Sequence, residues 1–200
     1  MSGMKLVLAS ASPARAAMLR GAGLEFDVVK ASVDEAALRD HLIGEGASLS
    51  EIAALLAEAK AKSASRINPD ALVIGADQIL ILGHEIFEKP SSLQEARQTL
   101  QKLRGQTHEL ISAVALVRGG DCLWGGSDAA RLTMRDFSNE FLEDYLNQEG
   151  DALHTSVGAY RLEGPGAQLF SKIEGDYFTI LGLPLLMLLS VLREAGVVPS

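Results

Sequence analysis

The chain is expected to fold as an α/β protein with a mixed sheet. Short apolar runs bounded by glycine and proline alternate with segments that carry helix N-caps. Two pairs of apolar runs are joined by Gly83-His84 and Gly119-Gly120, as hairpin strands are. Hydrophobic residues make up 48% of 200 residues, enough for a sizeable core in one domain or two small lobes. No repeat, low-complexity tract or long linker interrupts the pattern, so residues 1–200 read as a single domain.

The elements follow in order. Leu6–Ala9 is a short apolar run and reads as a buried strand. Ser12 then stands at a helix N-cap, with Pro13 at the first helical position. A second strand signal falls at Phe26–Lys30, and the polar stretch from Ala31 to Ala47 reads as a loop with a short helical piece. Ser48 and Glu51 have capping-box spacing, so the alanine-rich segment after them is expected to be helical to about Arg66. Ala71–Ile74 reads as a strand that ends at Gly75-Ala76-Asp77. Gln78–Leu82 and Glu85–Phe87 form the first hairpin. Ser92 opens a helix that Gly105 closes. Leu110–Val117 and Leu123–Met134 form the second hairpin, and Ser138 caps a helix to about Gln148. Short strands are expected at Tyr160–Leu162 and Leu169–Ile173. The apolar run Ile180–Leu192 reads as a strand end followed by a buried helix to about Glu194, led in by Gly182-Leu183-Pro184.

Composition excludes several classes. A net charge of −8 argues against a general nucleic-acid or membrane-surface binder, though not against a local basic pocket for an anion. The run Ile180–Leu192 is too short to span a bilayer and is interrupted by Gly182 and Pro184. A lone cysteine, Cys122, cannot form an internal disulfide, which fits the cytoplasm, and it reads as a small buried apolar residue. The first strand starts close to the N-terminus, with no leader pattern before it. The histidines His41, His84, His108 and His154 lack zinc spacing, and GxSxG, P-loop and GxGxxG patterns are absent.

The remaining polar residues suggest chemistry on phosphate. Helix first turns favour acidic residues, yet here the first turn carries Arg15, and no acidic residue precedes Glu25. A helix N-terminus with Ser10, Ser12 and an arginine suits an anion, as well as an ordinary strand-to-helix entry. Asp77, at an expected strand end, could hold a divalent metal, take a proton from water or cap a turn. Lys89 precedes Pro90 and so lies in extended or turn backbone. Lys60 and Lys62 share a helix on which either could face a cleft, with solvent as the default. Asp34 and Glu35 could ligate a metal or form a solvated acidic pair. Carboxylates, lysines, one early arginine and helix-terminal amides suit phosphate chemistry with a hard cation such as Mg²⁺.

Together these segments resemble the Maf family of nucleotide pyrophosphatases. Leu8 through Arg15 looks like the family's Ser-x-Ser-Pro-Arg-Arg opening, and Gly75-Ala76-Asp77-Gln78 like its Gly-Ala-Asp-Thr motif. Glu88-Lys89-Pro90 and Leu103-Arg104-Gly105-Gln106-Thr107-His108 match two further elements. Gly158-Ala159-Tyr160, Ile173-Glu174-Gly175 and Gly182-Leu183-Pro184 match the closing blocks. The resemblance implies a fold related to inosine triphosphate pyrophosphatases, with two lobes flanking a cleft. It also implies metal-dependent hydrolysis, with Mg or Mn, of a nucleoside triphosphate to monophosphate and pyrophosphate. By position, Asp77 is the proton acceptor and, with Glu35, a metal ligand. Arg15, Lys60 and Lys89 bind phosphate, Ser10 and Ser12 line the phosphate loop, and a homodimer is expected by analogy.

Ala14, Gln78 and Glu163 depart from the commonest family pattern, and all three resemble the branch acting on 7-methyl-GTP. Gln78 and Glu163 therefore count as substrate-binding positions. Glutamine at the position of Glu163 would offer a donor and an acceptor, which suits uracil or thymine, whereas a carboxylate only accepts. It suits the adjacent N1–H and amine of guanine, and the positive charge of an N7-methylated ring. The expected substrate is thus 7-methyl-GTP or another modified nucleotide. The alternatives are a dTTP/UTP pyrophosphatase and a non-catalytic nucleotide-binding regulator of cell division.

Overall fold

The computed structural model describes residues 4–199. Strands β1 (Leu6–Ala9), β2 (Asp27–Val28), β3 (Leu72–Leu82), β4 (Glu85–Phe87), β5 (Thr107–Arg118), β6 (Asp121–Met134) and β7 (Phe170–Glu174) form one sheet. Its order is β2-β1-β3-β5-β6-β7, with β4 also pairing β3. The sheet is mixed, as expected. β1 runs parallel to β2 and β3, whereas β3–β4 and β6–β7 are antiparallel.

The chain divides into two compact units. The first comprises Met1–Gln78, Ile111–Asp128 and Gly182–Ser200. It contains helices α1 (Pro13–Gly21), α2 (Glu35–Gly44) and α3 (Leu49–Ser65). The α3 helix starts on the expected capping box, with Ser48 Oγ accepting from the Glu51 amide and Glu51 accepting from the Ser48 amide. Its buried stripe, Ile52, Ala53, Leu56, Ala57, Lys60, Ala61 and Ala64, recurs at helical spacing. Ala61 and Ala64 pack with Val7, Ala9, Val73 and Val117 of the sheet.

The second unit comprises Ile79–Leu110 and Ala129–Leu181. It holds α4 (Leu93–Leu103), α5 (Asn139–Glu149) and the single-turn α6 (Tyr177–Ile180). Ser92 and Ser138 cap α4 and α5 as expected. The core of this unit gathers Leu80, Leu100, Leu103, Leu132, Phe137, Leu146 and Tyr160. The last helix, α7 (Leu185–Glu194), belongs to the first unit.

Five local expectations are corrected. Residues Ala71–Asp77 do not form a strand that stops at Asp77, because β3 continues unbroken to Leu82. Gly75 is a packing residue rather than a turn residue. A methyl placed on it would stand 2.1 Å from the Ala57 carbonyl oxygen and 2.7 Å from the Ala61 nitrogen, so its bare Cα lets α3 lie against the strand. Tyr160–Leu162 is not a strand, since Ala159 sits at φ +56°, which no strand allows, and turns the chain there. Ile180 ends a helical turn rather than a strand, because Asp176 accepts from the amides of Phe178 and Thr179 and starts α6. Cys122 is exposed rather than buried, at the outer end of β6 where the strand begins beside the Gly119-Gly120 turn.

Candidate active site

The site grows from three backbone positions of the first unit. β1 ends at Ala9 and delivers Ser10 into the turn before α1. Ser10 Oγ accepts from the Ser12 amide at 3.2 Å, and Ser12 Oγ accepts from the Arg15 amide at 3.4 Å. Two hydroxyls therefore shape the loop that aims Arg15. β3 runs beside β1 in parallel register, Ala9 opposite Gly75, which places Ala76 and Asp77 just beyond the end of β1. The α3 helix, drawn in over Gly75, brings Lys60 to the same place.

Charges that are normally solvated are buried here. Asp77, Lys60 and Arg15 are only 6%, 7% and 9% exposed. The Lys60 ammonium donates to Asp77 Oδ1 at 2.5 Å and pairs with Glu35 Oε2 at 2.7 Å. Glu35 opens α2, whose N-cap is its neighbour Asp34. Arg15 is fixed by carbonyls: Nε donates to Gly182 at 2.7 Å, and Nη1 donates to Ala76 at 3.1 Å and to Ser10 Oγ at 3.2 Å. Burial pulls the guanidinium below its ordinary value, while the carboxylates of Asp77 and Glu35 pull it back up. Arg15, Lys60 and Asp77 thus share one desolvated patch, with the exposed Glu35 carboxylate reaching the Lys60 ammonium from its rim, an arrangement concentrated at functional sites.

Gln78 is half-buried, and its side-chain amide donates to Ser112 Oγ at 3.0 Å. Gly182, at φ +98°, lies against both Gln78 and Arg15. A methyl there would be 3.5 Å from Gln78 Oε1 and 3.3 Å from Arg15 Nη2. The structure therefore joins Ser10, Ser12, Arg15, Glu35, Lys60, Asp77 and Gln78. Lys62 instead pairs with Glu58, so of the two lysines of α3 it is Lys60 that joins this cluster. The sequence marks Gly182 only as part of a closing motif and does not single out Ser112; their contacts with Arg15 and Gln78 appear only in the fold. Lys60 carried a legible signal, four residues after Leu56 and four before Ala64 on the buried stripe.

Lys89 and Glu163 belong to the second unit. Lys89 is exposed and lines a groove with Phe87, Glu95, Thr99 and Lys102. Glu163 is exposed in a turn before a short 3₁₀ segment. Among the described residues, no three His, Cys, Asp or Glu side chains converge as metal ligands, and no helix is long and apolar enough to cross a membrane.

The family model for Maf-like proteins matches residues 5–195. This chain belongs to the Maf family. Within the family, it is similar to a 7-methyl-GTP pyrophosphatase of Brucella abortus biovar 1 (strain 9-941), 53% identical over 96% of each chain. A second 7-methyl-GTP pyrophosphatase, from Rhizobium meliloti (strain 1021), is 50% identical over 98% of each chain. A nucleoside triphosphate pyrophosphatase of Paramagnetospirillum magneticum (strain ATCC 700264 / AMB-1) is 53% identical over 95% of this chain and 98% of its own. The Maf match spans all the segments that carry the buried charges.

Proposed function

We propose that this protein hydrolyses nucleoside triphosphates to the monophosphate and pyrophosphate, and prefers 7-methyl-GTP or another modified guanine nucleotide. The observation that carries the proposal is the Lys60 ammonium held between Asp77 and Glu35 beside the fixed Arg15 guanidinium. Isolated buried charges cost several kcal/mol each, so a fold that only needed stability would fill this space with apolar groups. The names of relatives at 53% and 50% identity support the activity and the base.

In this mechanism Arg15, aimed by the Gly182 and Ala76 carbonyls, is a preorganised positive charge for the triphosphate oxygens. An incoming phosphate oxygen competes for the Lys60 ammonium. As that ammonium turns to the phosphate, Asp77 Oδ1 is released to accept a proton from water. The water attacks the α-phosphorus, the bridging P–O bond to the β-phosphate breaks, and pyrophosphate leaves. Ser10 and Ser12 hold the loop that positions Arg15, and Lys89 adds a further cation for the phosphates. The carboxylates of Asp77 and Glu35 would hold the divalent cation that the family implies. Two carboxylates that already converge on one cationic group, completed by phosphate oxygens and water, are a donor set that suits Mg or Mn. When bound, that ion neutralises charge on the phosphate oxygens. Glu163 accepts from guanine, with Gln78 in support. A cytosolic homodimer completes the proposal.

The test is pyrophosphate release on a nucleotide panel with Mg or Mn, followed by a competition between 7-methyl-GTP and UTP. Preferential turnover of 7-methyl-GTP, reduced in favour of UTP by Glu163→Gln, is the expected result. Binding of the panel without release of pyrophosphate would overturn the catalytic assignment.

A further inference from the structure

The segment Gly158–Gly166 carries Glu163 at its tip, and its anchors have no part in the hydrolysis described above. Its backbone is unusual at the start. Ala159 is fully buried at φ +56°, where few residues other than glycine sit. The Tyr145 hydroxyl donates to its carbonyl at 3.4 Å. The next residue, Tyr160, is buried with its hydroxyl 2.7 Å from His108 Nε2 and its ring edge-on to Phe170, centroids 4.9 Å apart. Burial holds the His108 ring down to about 4, so it is neutral at physiological pH. Its Nδ1 is buried without a hydrogen-bond partner among the described residues. A fold rarely keeps such an orphan unless the bond on the other nitrogen matters.

Arg161 makes the second anchor. Its Nε donates to Glu149 Oε2 at 2.7 Å and its Nη2 to Oε1 at 3.1 Å. The Glu149 side chain is only 2% exposed. The turn then closes on Arg161 itself. The Gly164 amide donates to the Arg161 carbonyl at 3.2 Å, and a methyl on Gly166 would stand 2.5 Å from that oxygen. Glu163 lies inside this turn, and its carboxylate adds to that of Glu149 in holding the Arg161 proton. An apolar pair of the same volume would fill the space, but only a bidentate pair also fixes the direction of the turn.

We infer that Arg161, locked on Glu149 and preceded by the His108–Tyr160 bond, is a positioning residue that sets where the Glu163 carboxylate stands and so tunes base preference. The inference rests on the proposal that Glu163 reads the base. Substitutions at the anchor should therefore alter selectivity rather than phosphate chemistry.

The experiment compares kcat/KM for 7-methyl-GTP and UTP in the full-length protein. The variants are Glu163→Gln, Arg161→Met, Arg161→Lys, Tyr160→Phe and the double variant of Arg161→Met with Glu163→Gln. Misplacing a contacting group by about 1 Å can cost about 10²-fold. Arg161→Met should lower the guanine-to-pyrimidine ratio by about tenfold through KM for 7-methyl-GTP, with kcat on UTP kept. Arg161→Lys should restore part of the ratio, and Arg161→Met should add nothing once Glu163 is glutamine. Tyr160→Phe removes one oxygen and leaves the ring packing, so it should lower the ratio even where Arg161→Met fails to fold. A ratio left at the wild-type value by Arg161→Met or Tyr160→Phe, while Glu163→Gln lowers it, overturns the inference and leaves the base reading standing. An equal fall for both substrates also overturns it. No change even in Glu163→Gln overturns the base reading and the inference with it.

Discussion

Replacing Asp77 by asparagine separates catalysis from stability in this site. Asp77 is buried and accepts from Lys60 at 2.5 Å. Asparagine keeps the shape, and its carbonyl oxygen can still accept from the ammonium. What disappears is the charge. The ammonium still makes a charge-assisted bond to the amide oxygen, so the loss is the difference between the strong and weak ends of the roughly 1.5–3 kcal/mol range for bonds to charged groups, and the stability cost is about 1 kcal/mol. Glu35 stays 2.7 Å from the same ammonium, so Lys60 is not left buried without a counter-charge. For a chain of this size, 1 kcal/mol lowers Tm by about 2–4 °C. Turnover should respond on another scale. Losing a general base costs about 10²–10⁴-fold, or about 3–5 kcal/mol of barrier. The assay is pyrophosphate release beside circular dichroism and a thermal melt on the same preparations. Wild-type turnover in the variant would refute the assignment of Asp77. So would a loss of activity that merely tracks a collapse of Tm.

Other consequences can be checked separately. Gly75→Ala pushes a methyl into the α3 backbone at Ala57 and Ala61, so it should cost about 3 kcal/mol and displace Lys60; a melt at the wild-type Tm with full activity would contradict the packing role. Arg15→Ala and Lys89→Ala should each lower kcat/KM, with each charge-assisted contact contributing roughly 1.5–3 kcal/mol; the idea is falsified if both variants keep wild-type kcat/KM on the best substrate. Burial lowers His108 to about 4 in the fold from its ordinary 6.5, so between those pH values the unfolded chain binds a proton that the native state does not. Its contribution is therefore complete above pH 6.5 and is lost as pH falls toward 4, by roughly 3 kcal/mol, and urea midpoints of the wild type should lose this slope in His108→Gln.

The caps were legible because their chemistry is local. Ser48 with Glu51, Ser92 and Ser138 each satisfy helix amides within four residues, and no distant packing revises them. The hairpin at Gly83-His84 was legible for the same reason, since its turn alone sets the register Leu82 opposite Glu85. The family resemblance named Ser10, Ser12, Arg15, Glu35, Lys60, Asp77 and Gln78, which the fold brings together, whereas the helix pattern by itself left Lys60 and Lys62 open, and only the buried face of α3 decides between them. Other features depend on groups far apart in the chain. Gly75 looked like a turn because glycine is a turn former in isolation, and only the approach of α3 made it the close-packing point of an unbroken strand. Arg15 looked solvated or ligand-bound, and only the arrival of Gly182, 167 residues away, supplied the carbonyl that fixes it. The bend at Ala159 has no local cause, because alanine avoids positive φ, and the buried Tyr145 and Tyr160 contacts hold it there. Local hydrogen bonding decides where helices and turns begin, so sequence suffices for them. Burial decides which charges face each other, and burial exists only after the chain has folded.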